Sequence, residues 1–184
     1  MSKVIIVSGS PNPASRLTGI NNYVEQRLTE LSVFSGHLAV VTLPAEDLIF
    51  AKFNSPAIIA ANALVESADA VIIASPVYKA SFSGVLKTYL DLLPQNGLSG
   101  KIVTPLFIGG TIAHLLTIDY ALKPVLSALG ANHFGSGVYA VDNQVTRVES
   151  SGTVPTFELH NDLKVRIDAT IEYLNQQLGG KIYA

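Results

Sequence analysis

Two short runs constrain the fold more than any other feature: Val4 to Ser8 (VIIVS) and Ala70 to Ser75 (AVIIAS) are continuous, rich in β-branched residues, and closed by Gly9 and Pro76. A strand with one wet face alternates apolar and polar residues; one without alternation is covered on both faces. A third run, Ile102 to Ile108 (IVTPLFI), ends at Gly109-Gly110 and carries Pro105, which removes one ladder hydrogen bond. His37 to Leu43 and Val138 to Val141 bring the candidate strands to five. Helical patterns lie between and after them, at Gly19 to Leu31, Pro56 to Ser67, Gly84 to Leu93, Thr111 to Leu129 and Phe157 to Leu178. Alternation of strand and helix predicts right-handed βαβ crossovers, hence an α/β fold with a parallel sheet and helices on both faces. No repeat, low-complexity tract or linker divides the 184 residues, so a single domain over 1–184 is expected.

Composition removes several chemistries. With no cysteine, disulfides, iron–sulfur ligation, thiolate zinc sites and a Cys nucleophile are excluded, and redox work needs a borrowed cofactor. The 12 basic residues against 14 acidic ones give a net charge of −2, and the basic ones are dispersed, which argues against a nucleic-acid surface. The apolar start, Val4 to Val7, is far shorter than the roughly 20 residues that span a bilayer. A soluble, cytoplasmic protein with no membrane association is expected. Charged residues make up only 14% and mean hydropathy is +0.38, more apolar surface than a small monomer exposes, so a homo-oligomer is expected.

In a doubly wound sheet, ligands bind beyond the carboxyl ends of the strands, where strand order reverses. Three loops are thereby singled out. The first, Gly9-Ser10-Pro11-Asn12-Pro13-Ala14-Ser15-Arg16-Leu17-Thr18, offers hydroxyls, a cation and N–H groups at the start of a helix. It reads either as an anion cradle or as an ordinary Ser/Pro turn capping a helix. It matches neither the P-loop spacing nor the spaced glycines of a dinucleotide fold. In the second, Ser75-Pro76-Val77-Tyr78-Lys79-Ala80-Ser81-Phe82-Ser83-Gly84, Tyr78 either borders a planar ligand or covers the sheet end, and Lys79 is either a ligand cation or a solvated charge. The third, Gly109-Gly110-Thr111, permits close backbone approach and an N–H nest.

The fourth helix carries two apolar stripes. Ile112, Leu115, Ile118, Leu122, Val125 and Leu129 form one; Ala113, Leu116, Tyr120 and Pro124 form the other, which requires a partner. Pro124 should break the ladder near Tyr120, leaving either a π-bulge or a merely kinked helix with Asp119 and Lys123 paired. His37 (opening an edge strand), His114 (one turn into the fourth helix), His133 (in a turn) and His160 (opening the last helix) lack metal-ligand spacing, so no metal site is expected. Ser83 and Ser127 have no assigned base, which gives no ground for a hydrolase.

With these loops in place, the chain resembles the flavodoxin-like NAD(P)H-dependent FMN reductases, specifically the sulfonate-assimilation (SsuE-type) group. The resemblance runs from about Val4 to Val141. It rests on Gly9-Ser10-Pro11 with Ser15-Arg16, Glu46-Asp47-Leu48, Ser75-Pro76-Val77-Tyr78-Lys79, Ser83-Gly84, Leu86-Lys87-Thr88 and Asp91-Leu92-Leu93-Pro94. It continues through Gly109-Gly110-Thr111, His114-Leu115-Leu116 and Asp119 to Leu126. It implies a doubly wound five-stranded parallel sheet of order 2-1-3-4-5. It also implies that Ser10, Ser15, Arg16 and Thr18 hold the FMN phosphate, that Pro76, Val77, Tyr78 and Lys79 border the isoalloxazine, and that Gly109, Gly110 and Thr111 face the ring's other polar edge. Tyr120 matches the tyrosine that the group inserts to form a π-helix at a tetramer interface. The group often has Arg where this chain has Asn12, and the tail after Asp142 matches poorly.

The implied activity is hydride transfer from NADPH, or NADH, to FMN, with reduced flavin supplied to a two-component monooxygenase. No protein acid or base is obligatory for that transfer. Three rivals share the loops or the fold: a quinone or azo reductase holding FMN as a prosthetic group, a flavodoxin-like electron carrier, and a binding module with a vestigial site. Carriers of the second kind tend to be strongly acidic, which a net charge of −2 does not match.

Overall fold

The computed structural model describes residues 2–148 and 155–179. Strand β1 (Val4–Ser8) is buried throughout and lies between β2 (Phe34–Ala39) and β3 (Ala70–Tyr78). Beyond β3 come the two-residue strand β4 (Ser81–Phe82), which folds back on it, and the wholly buried β5 (Ile102–Gly109). The main path runs β2-β1-β3-β5-β6, with β6 (His133–Phe134) and β7 (Val138–Val141) both pairing β5. Leaving out the short β4 and counting β6 and β7 as one edge, this is the expected order 2-1-3-4-5. All pairs on the path are parallel, as the unbroken apolar runs predict.

Pro105 explains why that edge comes in two pieces. β6 pairs with Ile102 and Val103, and β7 resumes at Leu106, so Thr104 and Pro105 face the interruption. A proline that cannot donate to the ladder is accommodated by breaking its neighbour rather than its own strand.

Each face of the sheet has its own core. Helices α1 (Arg16–Glu30) and α6 (Asn161–Gln177) cover one face, with Leu17, Ile20, Val24, Leu163, Ile167 and Ile171 against Ile6, Ile72 and Leu106. The other face packs against α2 (Ala45–Ile49), α3 (Pro56–Glu66), α4 (Gly84–Leu90) and α5 (Lys123–Ala128), through Leu48, Ile58, Leu86 and Leu126. After β7 the chain leaves the sheet as an antiparallel hairpin, β8 (Val145–Val148) and β9 (Thr156–Leu159), and then enters α6. No helix among the described residues is long and apolar enough to cross a membrane.

Four expected assignments shift. The second strand begins at Phe34, ahead of His37, and Val40–Thr42 tightens into a 3₁₀ turn, so the Val-Val pair lies beyond the ladder. Phe157 belongs to β9 and not to the last helix, and His133 belongs to β6 and not to a turn. The expected helix over Thr111 to Leu129 is three pieces: a 3₁₀ turn at Ile112–His114, a π-helix at Ile118–Leu122, and α5. Pro124 supplies the cause. It has no N–H to give the Tyr120 carbonyl, and the Lys123 N–H instead reaches back five residues to the Ile118 carbonyl.

Candidate functional site

At the carboxyl end of β1 the first loop braces itself. The Ser10 hydroxyl donates to the Asn12 carbonyl at 2.9 Å, and the Ser10 and Ser15 hydroxyls lie 2.8 Å apart. The Asn12 amide oxygen accepts the Ala14 N–H at 2.8 Å, and the Thr18 hydroxyl donates to the Pro13 carbonyl at 2.8 Å. Ser15 stands at the N-cap of α1 without capping it, and no acidic residue occupies the first turn. The Thr18 N–H donates to the Ser15 carbonyl at 3.0 Å, while the Arg16 and Leu17 N–H groups have no acceptor among the described residues, under the positive end of the helix dipole where anions bind. Arg16 is oriented by its Nε, which donates to the Val145 carbonyl of β8 at 3.0 Å.

The second wall grows out of β3. Past Ser75 the strand continues through Pro76, Val77 and Tyr78, then reverses over Lys79-Ala80 so that Tyr78 pairs Ser81. Both turn residues are left-handed, with φ of 50° and 58°. That tight hairpin geometry normally takes Asn-Gly, so two side-chain-bearing residues hold it under strain. The Thr117 hydroxyl, at the start of the π-helix, donates to the Ala80 carbonyl at 3.3 Å. Ser83 ties this wall to the first loop: its N–H donates to Ser75 Oγ at 2.9 Å, its hydroxyl donates to the Gly9 carbonyl at 2.6 Å, and it caps α4.

The third wall is the end of β5. A Cβ on Gly109 would stand 2.2 Å from the Tyr139 hydroxyl, so only glycine fits. That hydroxyl donates to the Thr111 carbonyl at 2.9 Å and fixes the Gly109-Gly110-Thr111 turn. Burial, and then the charge of Asp142, raise the Tyr139 phenol above its ordinary value and keep it a donor.

These walls enclose a cleft of about 360 Å³, within the range of small-molecule sites. Of the expected residues, Ser15, Arg16, Pro76, Val77, Tyr78, Gly109 and Gly110 line it. Ser10, Thr18, Lys79, Thr111 and Tyr120 do not. Ser10 and Thr18 brace the loop from behind, Lys79 sits at the hairpin tip, and Tyr120 is 79% exposed on the π-helix. Asn12 joins the lining, and so do Asp142, Arg147 and Phe157, which the loop-by-loop reading missed. The only local trace of Phe157 is Gly19 inside α1, where a Cβ would meet Phe157 Cβ at 2.4 Å.

The lining combines the Ser15 hydroxyl, the N-terminus of α1, Arg16 and Arg147 with Val77, Tyr78 and the Gly109-Gly110 backbone. A flat heterocycle carrying a phosphate, as FMN does, matches that donor set and the Gly109 cradle. Among the described residues no group of three or more His, Asp or Glu stands together as a metal site.

Comparison with known proteins gives a consistent picture. Residues 2–146 match the family model described as NADPH-dependent FMN reductase. The chain is 44% identical over 176 residues to the FMN reductase (NADPH) of Escherichia coli (strain K12), covering 96% of this chain and 90% of that one. It is 46% identical over 169 residues to the FMN reductase (NADPH) of a Pseudomonas putida strain, covering 92% and 84%. Among solved structures, the apo form of an NADH:FMN oxidoreductase matches with a TM-score of 0.82 at 29% identity, over 100% of this chain and 92% of that one.

Proposed function

The chain belongs to the NADPH-dependent FMN reductase family, and from that premise we propose that it takes up FMN as a substrate, reduces it with NADPH, and releases the reduced flavin to a two-component, alkanesulfonate-type monooxygenase. It is an oxidoreductase of flavin and nicotinamide nucleotides, and NADH is an admissible donor. Residues 1–184 act as one reductase domain. The observation that carries the reading is the cleft beyond the carboxyl ends of β1, β3 and β5, lined by Ser15, Arg16 and Arg147 together with Val77, Tyr78 and Gly109-Gly110.

Bound flavin supplies the two-electron chemistry, accepting hydride from the nicotinamide. The chain's own work is placement and water exclusion. Ser15, Arg16 and the first-turn N–H groups of α1 hold the phosphate, with Ser10 and Thr18 keeping the loop in shape. Pro76 to Lys79 frame the ring through the Tyr78 wall. The Gly109-Gly110-Thr111 amides, held by Tyr139, face the ring edge where negative charge accumulates on reduction.

The exposed apolar residues Ile112, Leu115, Leu116 and Tyr120 lie on the segment joining the Gly109-Gly110 turn to α5. Their burial against further copies of the chain, in a dimer or tetramer, is the assembly this surface supports, with Tyr120 of the π-helix tuning flavin release. Unchanged assembly and flavin release in Tyr120→Ala would contradict that role.

The test of the main reading is a visible spectrum of the purified protein, followed by NADPH oxidation with and without added FMN. A colourless protein that oxidises NADPH only when FMN is supplied is the expected result. A yellow protein that turns over without added flavin would replace the substrate-flavin reading with a prosthetic one, and no oxidation in either condition would remove the reductase reading.

A further inference from the structure

We propose that Arg147, delivered by the β8–β9 hairpin, is the second cation of the phosphate end and makes the cleft select FMN over the unphosphorylated flavin, riboflavin. This rests on the flavin-reductase reading above.

The placement begins with strand periodicity. Val145 and Arg147 are two residues apart on β8 and so share a face. Val145 is buried, at 1% exposure, in the core shared with Leu17 and Ile20 of α1. Its carbonyl receives Arg16 Nε at 3.0 Å, so the strand that carries Arg147 is the one that orients Arg16. Both arginines line the cleft beside Ser15 and Asn12.

The hairpin is held there by a specific contact. Arg147 stands opposite Phe157 in the β8–β9 register, and Phe157 sits on Gly19, in the first turns of α1, with no room for a Cβ between them. Arg147 is therefore fixed near the N-terminus of α1 although it lies far from that helix in sequence.

Charge gives the reason for a second guanidinium. A phosphate monoester carries nearly two negative charges at neutral pH. The first loop offers Arg16 alone, because Asn12 is neutral and its amide oxygen is engaged with the Ala14 N–H. The carboxylate of the lining, Asp142, stands at the opposite, Gly110 side, with Oδ2 3.9 Å from where a Gly110 Cβ would be. Two planar guanidiniums with helix N–H groups suit a phosphate dianion. The 2′-phosphate on the adenosine ribose of NADPH has the same chemistry; the flavin phosphate is favoured because Ser15 and the α1 N-terminus line the same cleft.

The test measures dissociation constants for FMN and riboflavin by flavin fluorescence quenching, and KM for NADPH and NADH, in wild type and Arg147→Gln. The FMN constant should rise roughly tenfold while riboflavin binding and both nicotinamide KM values stay put. Adding Asn12→Arg to Arg147→Gln should recover FMN affinity, because position 12 lines the same cleft. Unchanged FMN binding would overturn the proposal. So would equal losses for FMN and riboflavin, the signature of hairpin packing, and so would a rise in KM for NADPH alone, which would assign Arg147 to the 2′-phosphate. Wild-type protein that binds no flavin would instead bring down the reductase reading beneath it.

Discussion

The sheet has a cleft at each end, and the two are close in size: about 360 Å³ beyond the carboxyl ends of the strands and about 310 Å³ at the amino end, among Val65, Leu93, Pro94 and Lys101. Their polar groups are disposed in opposite ways. At the amino end the Lys101 ammonium donates to the carbonyls of Glu66 at 2.8 Å and Ala68 at 2.6 Å, and the Asn62 amide donates to the Leu92 carbonyl at 2.9 Å. Lys101 closes the end of α3 and Asn62 ties α3 to the segment after α4, so these donors are engaged by the fold itself, with Asn62 Oδ1 the acceptor left unpartnered. At the carboxyl end Arg16 gives Nε to the backbone, and the first-turn N–H groups of α1 have no side-chain acceptor. Volume alone therefore does not mark a site. The Arg16 and Leu17 N–H groups without acceptors distinguish the carboxyl end, and strand direction decides which loops meet there.

The comparison breaks most visibly at Gly109. Gly109→Ala places a methyl group against the Tyr139 hydroxyl and displaces a cleft wall, so kcat/KM for FMN reduction should fall by about 100-fold, the cost of a misplaced wall near 1 Å. Steady-state NADPH oxidation checks it, and activity within a factor of two of wild type would show that this wall does not form the site.

The amino end should respond in the opposite sense. Lys101→Met leaves two carbonyls without their donor and should cost about 1–2 kcal/mol of stability in urea unfolding, with kcat/KM unchanged. A loss of activity without a loss of stability would turn the comparison around.

A smaller effect sharpens it through pH. Burial raises the Tyr89 phenol well above its ordinary value of 10.0, and burial with Asp142 raises Tyr139. Above about pH 10 the unfolded chain releases protons that the folded chain keeps, so stability falls as pH rises through that range. Tyr89 Oη has no hydrogen-bond partner among the described residues, so Tyr89→Phe should be neutral or stabilising by up to about 1 kcal/mol and should flatten the alkaline slope. Thermal unfolding between pH 8 and 11 reads both effects; a slope unchanged in Tyr89→Phe would refute the assignment.

How much of this was legible in the sequence depended on whether the cause was local. β1 and β3 could be read because burial on both faces forces an unbroken apolar run. The proline in β5 could not be judged locally, since its accommodation lies in the neighbouring edge, split into β6 and β7. β2 was displaced because Phe34-Ser35-Gly36 is less apolar than Val40-Val41, although the ladder uses the former. Pro124 announced a break near Tyr120, whereas the separation of Ile112–His114 from the rest of that helix had no comparable mark. In the candidate site, Ser15, Arg16, Pro76 to Tyr78 and Gly109-Gly110 could be expected to line one cleft because strand direction places those loops together. Asp142, Arg147 and Phe157 were missed because a hairpin outside the sheet carries two of them, and its docking is written in Gly19, more than a hundred residues earlier.

Hydrogen–deuterium exchange with and without FMN tests most directly which end of the sheet is the site. The account predicts slowed exchange at residues 9–17, 76–82 and 109–111, with none at 93–101. Slowed exchange confined to 93–101, with the first loop unaffected, would contradict it.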